Sequence, residues 1–195
     1  MTIYFKNISS VIPFDIDDLI DLSKVKNITD PPSEQFVHKQ SFLPEILNPD
    51  FYKFLLSKEV VVKKIIVWHW YNKDPFWAHI DSNNEGIISP SALNWTINNN
   101  KSQVNFYDLS NVEKLVKFGN EIDKNSVTEN VTSYIPINVK GLEPNAIWSD
   151  RGPALINTSL PHLVIASEMR TSVSLNFAEP MLDIETLIDR LCTDE

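Results

Sequence analysis

One cysteine, Cys192, leaves nothing for an internal disulfide framework or a cysteine metal cluster. No apolar run approaches the roughly 20 residues of a membrane span. The longest, Val60 to Trp70, is broken by Lys63 and Lys64. The opening "MTIYFKNISS" has no basic segment followed by an apolar one, so no signal peptide is expected. These absences point to the cytoplasm and to no membrane partner. N-x-S/T matches such as Asn7-Ile8-Ser9 then carry no meaning, because that acceptor matters only in secreted chains. Basic residues are outnumbered: 17 Lys and Arg against 26 Asp and Glu give a net charge of -9 and a pI near 4.9. Phosphate backbones need clustered cations, and no basic stripe is present, so nucleic acid is not an expected partner. There is no internal repeat and no low-complexity tract. "ITDPPSEQ" (28–35) is the strongest linker signal, but it lies too near the N-terminus to separate two domains. One domain over 1–195 is expected.

What is present is apolar and aromatic: 43% hydrophobic residues, 10% aromatic, five Trp. Helix-like spacing occurs in "FDIDDLIDLSK" (14–24), in "LPEILNPDFYKFLLSKE" (43–59), where Pro49 interrupts, and in "MLDIETLIDRL" (181–191). Eight strand-like runs lie between: 60–71, 78–81, 91–98, 102–109, 132–139, 153–159, 162–167 and 171–177. The polar stretch 111–130 reads as an excursion outside the barrel. A helical N-terminal part (about 1–59), a barrel (about 60–177) and a C-terminal helix suggest a mainly β protein with flanking helices. The expected architecture is a double-stranded β-helix, that is, a jelly-roll or cupin-like barrel. Alternation fits such a barrel. Arg170, Ser172, Ser174 and Asn176 share one strand face, and Thr171, Val173, Leu175 and Phe177 the other. Leu93, Trp95 and Ile97 likewise oppose Ala92, Asn94 and Thr96. Either the polar faces line a cavity or they face water, and periodicity alone does not separate the two.

The tripeptide "HID" puts His79 and Asp81 two apart, so on a strand both side chains point to one side. An imidazole nitrogen and a carboxylate oxygen can then meet one metal ion. Only His38, His69 and His162 can add a second imidazole. His38 sits in a polar region and reads as surface. His69, between Trp68 and Trp70, reads as a hydrogen-bonded core residue. His162 opens a strand that runs into a second one carrying Arg170, by a short hairpin through Glu168 and Met169. Two His and one carboxylate form a facial set that leaves three positions open, as in non-haem Fe(II) oxygenases. Arg170 is expected inside the barrel, deeper than the metal, with its planar fork available to a carboxylate. Ser172, on the same face, can add a hydroxyl.

The ordered set His79-x-Asp81, His162, Arg170-x-Ser172 resembles that of the Fe(II)/2-oxoglutarate-dependent dioxygenases. "NTSLPHLVIASEMRTSVSLNF" is similar to their distal histidine strand followed by the co-substrate Arg-x-Ser strand. The resemblance covers roughly 60–177. The chain departs from it before His-x-Asp, where many members carry a Gly-rich turn and this sequence has "YNKDPFWA". The resemblance implies Fe(II) on His79, Asp81 and His162, with Ni or Zn able to replace it because their intrinsic affinities are higher. It implies 2-oxoglutarate as co-substrate, with its far carboxylate on Arg170 and Ser172; Tyr71 and Asn94 are either further polar partners or ordinary strand-end hydrogen bonders. It implies dioxygen as oxidant and hydroxylation of a peptide side chain or small molecule. Candidate substrate contacts are Trp77, Asn157 and Arg151, although Asn157 also reads as a strand-end hydrogen bonder and Arg151 as a loop cap. Trp68, Trp77, Trp95 and Trp148 are candidate pocket walls, or core residues, as a Trp in a β domain more often is. Two other readings share the barrel: a cupin-like metal enzyme that does not use 2-oxoglutarate, and a non-catalytic binding module. Oligomeric state is not legible.

Overall fold

The computed structural model describes residues 2–27, 35–72, 77–81, 90–98, 101–108, 134–149, 151–179 and 182–193. The 111–130 segment and most of 28–35 lie outside these described residues. Ten strands are described: β1 (Phe5–Asn7), β2 (Gln35–Phe42), β3 (Val62–Asn72), β4 (Trp77–Asp81), β5 (Ala92–Thr96), β6 (Ser102–Phe106), β7 (Tyr134–Asn138), β8 (Ala146–Trp148), β9 (Ala154–Ile156) and β10 (His162–Phe177). Every pairing between them is antiparallel. The result is a barrel-like sheet in which two strand runs share β10. One runs β1-β9-β5-β10-β3-β2, and the other runs β8-β6-β10-β4-β7.

β10 serves both runs because it is long. Its first part, His162 to Ala166, pairs with β6, and His162 also faces His79 of β4. Its second part pairs with β3 and β5. The expected hairpin through Glu168 and Met169 does not form. The strand keeps its direction and absorbs the extra residues as a register shift between Ala166 and Arg170. A bulge of this kind bends a strand without reversing it.

The two faces of the sheet divide as alternation demands. Leu93, Trp95, Val173, Leu175 and Phe177 point outward beneath the helices, into one core with Phe51, Leu55, Leu187 and Leu191. Phe51 meets Trp95 edge-on at 6.3 Å. The other face carries Thr96, Arg170, Ser172 and Ser174, all buried, so the polar face lines the interior and not the solvent. A second apolar cluster closes that interior: Val104, Phe106, Trp148, Ala154, Ile156 and Val164.

Two α-helices are described, α1 (Pro49–Ser57) and α2 (Ile184–Cys192). Pro49 begins α1 instead of interrupting it. At the first helical position its missing N–H costs nothing, and the Asn48 side chain caps the turn by accepting from the Asp50 and Phe51 amides. The 14–24 stretch forms two short 3-10 turns, Ile16–Asp18 and Leu22–Lys24, in place of the expected helix. Asp15 and Asp21 accept from the amides two residues on, and these local bonds compete with helical ones. Among the described residues no helix is long and apolar enough to cross a membrane.

Candidate metal centre

β4 lies between β10 and β7, with His79 opposite both His162 and Pro136. The sequence spacing therefore acts as expected: His79 and Asp81 emerge on one face, and the cross-strand neighbour of His79 is the second imidazole. His79 Nε2 lies 3.5 Å from Asp81 Oδ1, and His162 Nε2 lies 3.8 Å from the same oxygen. The three donor atoms all fall within 4.8 Å of one another. Donors at right angles on bonds of about 2.1 Å stand about 3.0 Å apart, so a small inward shift closes the set on one ion. Among the described residues no other cluster of three or more His, Cys, Asp or Glu meets this test.

The ligands are oriented by their neighbours. The Nδ1 of His162 is 2.9 Å from the Leu160 carbonyl oxygen, which fits the tautomer with Nδ1–H donating and Nε2 free for a metal. Trp70 stacks on His79 at 5.8 Å and 15°. The Asp81 backbone amide donates to Thr158 O at 3.1 Å. Burial holds His79 well below its ordinary pKa, with His162 adding to the effect. Burial raises the Asp81 carboxyl, and the neighbouring His162 partly opposes that shift. A neutral imidazole and a half-buried carboxylate with no Lys or Arg beside it among the described residues are what a divalent ion would satisfy.

Arg170 is the second feature of the interior. It is 3% exposed, and burial lowers its guanidinium to about 10, so it stays charged at neutral pH. Its Nε and Nη2 donate to Thr96 Oγ1 at 3.3 and 3.1 Å, and its guanidinium sits 5.4 Å over the Trp148 ring. No carboxylate pairs with it among the described residues. The registers link this group, through Trp148, to the part of β10 that carries His162. Trp148 faces Val104, and Val104 faces Val164, two positions along β10 from His162. Two strand positions span roughly 7 Å.

The other expected residues divide. Ser172 is buried on the same face as Arg170, between Thr96 and Trp68. Asn94 faces the interior opposite Ser174, and its buried Oδ1 has no hydrogen-bond partner among the described residues. Tyr71 lies on the opposite face of β3 from Trp70, across from Phe36. Asn157 holds a turn: its Oδ1 accepts from the Ser159 amide and hydroxyl, and its Nδ2 donates to Ile3 O. Arg151 donates to the Thr96 and Ile97 carbonyls and to Asp17. Trp77 begins β4, and its side chain lies outside the described set. Trp68 stands beside Trp70 on the inner face, whereas Trp95 belongs to the outer core. His69 is buried and bonded through both ring nitrogens, to Gln40 and Thr171, and takes no part in the cluster. His38, read as surface, is partly buried on β2 opposite His69. Sequence reasoning missed Thr96 and the Leu160 carbonyl. A strand Thr is ordinary in composition, and a backbone oxygen leaves no mark in a sequence.

No model of a known protein family matches this chain, and no curated protein matches it.

Proposed function

We propose that this protein is an Fe(II)- and 2-oxoglutarate-dependent oxygenase on a double-stranded β-helix, hydroxylating a peptide side chain or small molecule. One observation carries the reading. A buried Arg170 with no carboxylate beside it among the described residues shares the barrel interior with a His79–Asp81–His162 cluster. A buried cation is costly unless paired, so this guanidinium suits an anionic ligand. A generic metal barrel does not call for that cation. A short diacid with one end at the cluster and the other at the guanidinium would satisfy both groups.

When bound, the iron and 2-oxoglutarate supply the oxidising chemistry: the co-substrate is decarboxylated to succinate, and oxygen from O₂ passes to the substrate. The chain's own residues orient and exclude. His79, Asp81 and His162 would hold the metal from one side and leave the remaining positions open. The Leu160 carbonyl and the Trp70 ring fix the two imidazoles. Arg170 would anchor the distal carboxylate, with Ser172 beside it. Trp148, Phe106 and Val164 wall the space and keep its dielectric low, which strengthens the charge pairing.

The test is 2-oxoglutarate titration of Zn(II)-loaded protein by calorimetry, zinc having no redox chemistry to consume the ligand. Arg170→Ala should weaken binding by about 2–5 kcal/mol, roughly 30-fold to several thousand-fold, at normal metal content. Arg170→Lys should recover part, since an ammonium lacks the fork. Equal affinity for wild type and Arg170→Ala would remove the reading.

A further inference from the structure

Arg170 does not present its whole fork. Nε and Nη2, the two donors of its side edge, both point at one atom, Thr96 Oγ1. One face of the plane lies over Trp148. What remains is the Nη1/Nη2 end. Thr96 itself is held firmly. Its amide donates to Arg151 O at 3.0 Å, and Arg151 Nε returns a bond to Thr96 O at 3.3 Å. Arg151 is braced in turn by Asp17 at 3.1 Å. Thr96 is 1% exposed and cross-strand from Ser172, so its hydroxyl cannot swing to solvent. With two guanidinium donors filling the lone pairs of Oγ1, its own proton is directed away from the Arg side edge.

We infer that Thr96 is a positioning residue for the anion site: by taking the side edge of Arg170, it aims the Nη1/Nη2 end at a single planar carboxylate. The inference rests on the proposed role of Arg170 as holder of the co-substrate's distal carboxylate. It adds that the guanidinium is set before the ligand arrives, so little ordering remains to be done on binding. An Arg free to rotate would bind the same anion more weakly. The Asp17–Arg151 pair, at the surface end of this chain of bonds, supports the site without touching ligand.

The experiment compares wild type, Thr96→Val, Thr96→Ser and Arg170→Ala, each Zn(II)-loaded, by calorimetric titration with 2-oxoglutarate and a parallel measurement of zinc affinity. Thr96→Val should weaken 2-oxoglutarate by roughly 10-fold and leave zinc affinity unchanged, while Thr96→Ser stays within about threefold of wild type. Thr96→Val with wild-type affinity, alongside a large loss in Arg170→Ala, would overturn the role of Thr96 and leave Arg170 as the anion holder. Joint loss of 2-oxoglutarate and zinc binding in Thr96→Val, or failure of Thr96→Ser to rescue, would reduce Thr96 to a packing residue and also overturn the inference. No loss in Arg170→Ala would sink the proposed function itself. Should Thr96→Val not fold, Thr96→Cys, of similar size but a weaker acceptor, carries the same comparison, and unchanged affinity there overturns the inference too.

Discussion

His69 and Arg170 are both buried titratable side chains, and burial leads them to different ends. His69 keeps both ring nitrogens bonded, one 2.7 Å from Gln40 Nε2 and one 3.2 Å from Thr171 Oγ1. Gln40 also clamps Lys26 by accepting from its amide and donating to its carbonyl. The imidazole is therefore a neutral structural link between strands. Burial, with His38 adding to it, depresses its pKa to about 4. The sign follows: above the ordinary value near 6.5 neither folded nor unfolded His69 is charged, and its contribution is complete. As pH falls from 6.5 towards 4, the unfolded chain takes a proton that the folded chain refuses, and stability drops. Between pH 7 and 5 this amounts to about 2 kcal/mol at most. Urea unfolding at both pH values should show a smaller difference for His69→Gln than for wild type, and an equal difference would contradict the assignment. At this scale the sequence was most informative where side chains repeat every second residue. His79 and Asp81 declare themselves by that spacing. Thr96 does not, because its meaning comes from a cross-strand register to β10 that the chain discloses only when folded.

Helix α1 shows how an element's limits follow from its end residues. Asn48 and Pro49 start it, and Glu59 stops it at φ 57°, the left-handed region. The Val60 amide returns to Leu55 O at 2.9 Å and the Glu59 amide to Leu56 O at 3.0 Å, closing the helix end. Glycine occupies this conformation without the steric cost that a β-carbon brings. Glu59→Gly should therefore stabilise the protein by about 0.5–1 kcal/mol, read as a higher denaturant midpoint at unchanged slope. A lower midpoint would show that the Glu59 side chain contributes more than its backbone strain costs. The same physics explains which elements were legible. Long β-rich runs such as 60–71 appear nearly as expected, at Val62–Asn72. Strands β1, β2 and β8 escaped notice, so the part expected to be helical (about 1–59) carries two strands as well as α1; their extended form is set by pairing with β9, β3 and β6 and not by local pattern. The Asp-rich 14–24 stretch carried a helical apolar period, but its side chains capped turns first.

On the scale of the whole molecule, β10 connects everything. Its first part brings His162 to β4, and its second part sets Arg170 and Ser172 between β3 and β5. His162 and the guanidinium thus sit on one strand, with His79 and Asp81 brought to it by β4, and the outer face of β10 is anchored under the helices by Val173, Leu175 and Phe177. The alternation read from the sequence left open whether the polar face was inside. The helices decide it, because α1 and α2 cover the apolar face and leave the polar one to the interior. The most direct test of the central claim is an anaerobic titration of the Fe(II)-loaded protein with 2-oxoglutarate, followed in the visible region. Chelation of the iron by the keto acid should produce a saturable charge-transfer band. Asp81→Ala should fail to develop it for want of bound iron, and Arg170→Ala should need far more 2-oxoglutarate to reach the same amplitude. An iron-loaded wild-type protein that shows no band at saturating 2-oxoglutarate would contradict the account.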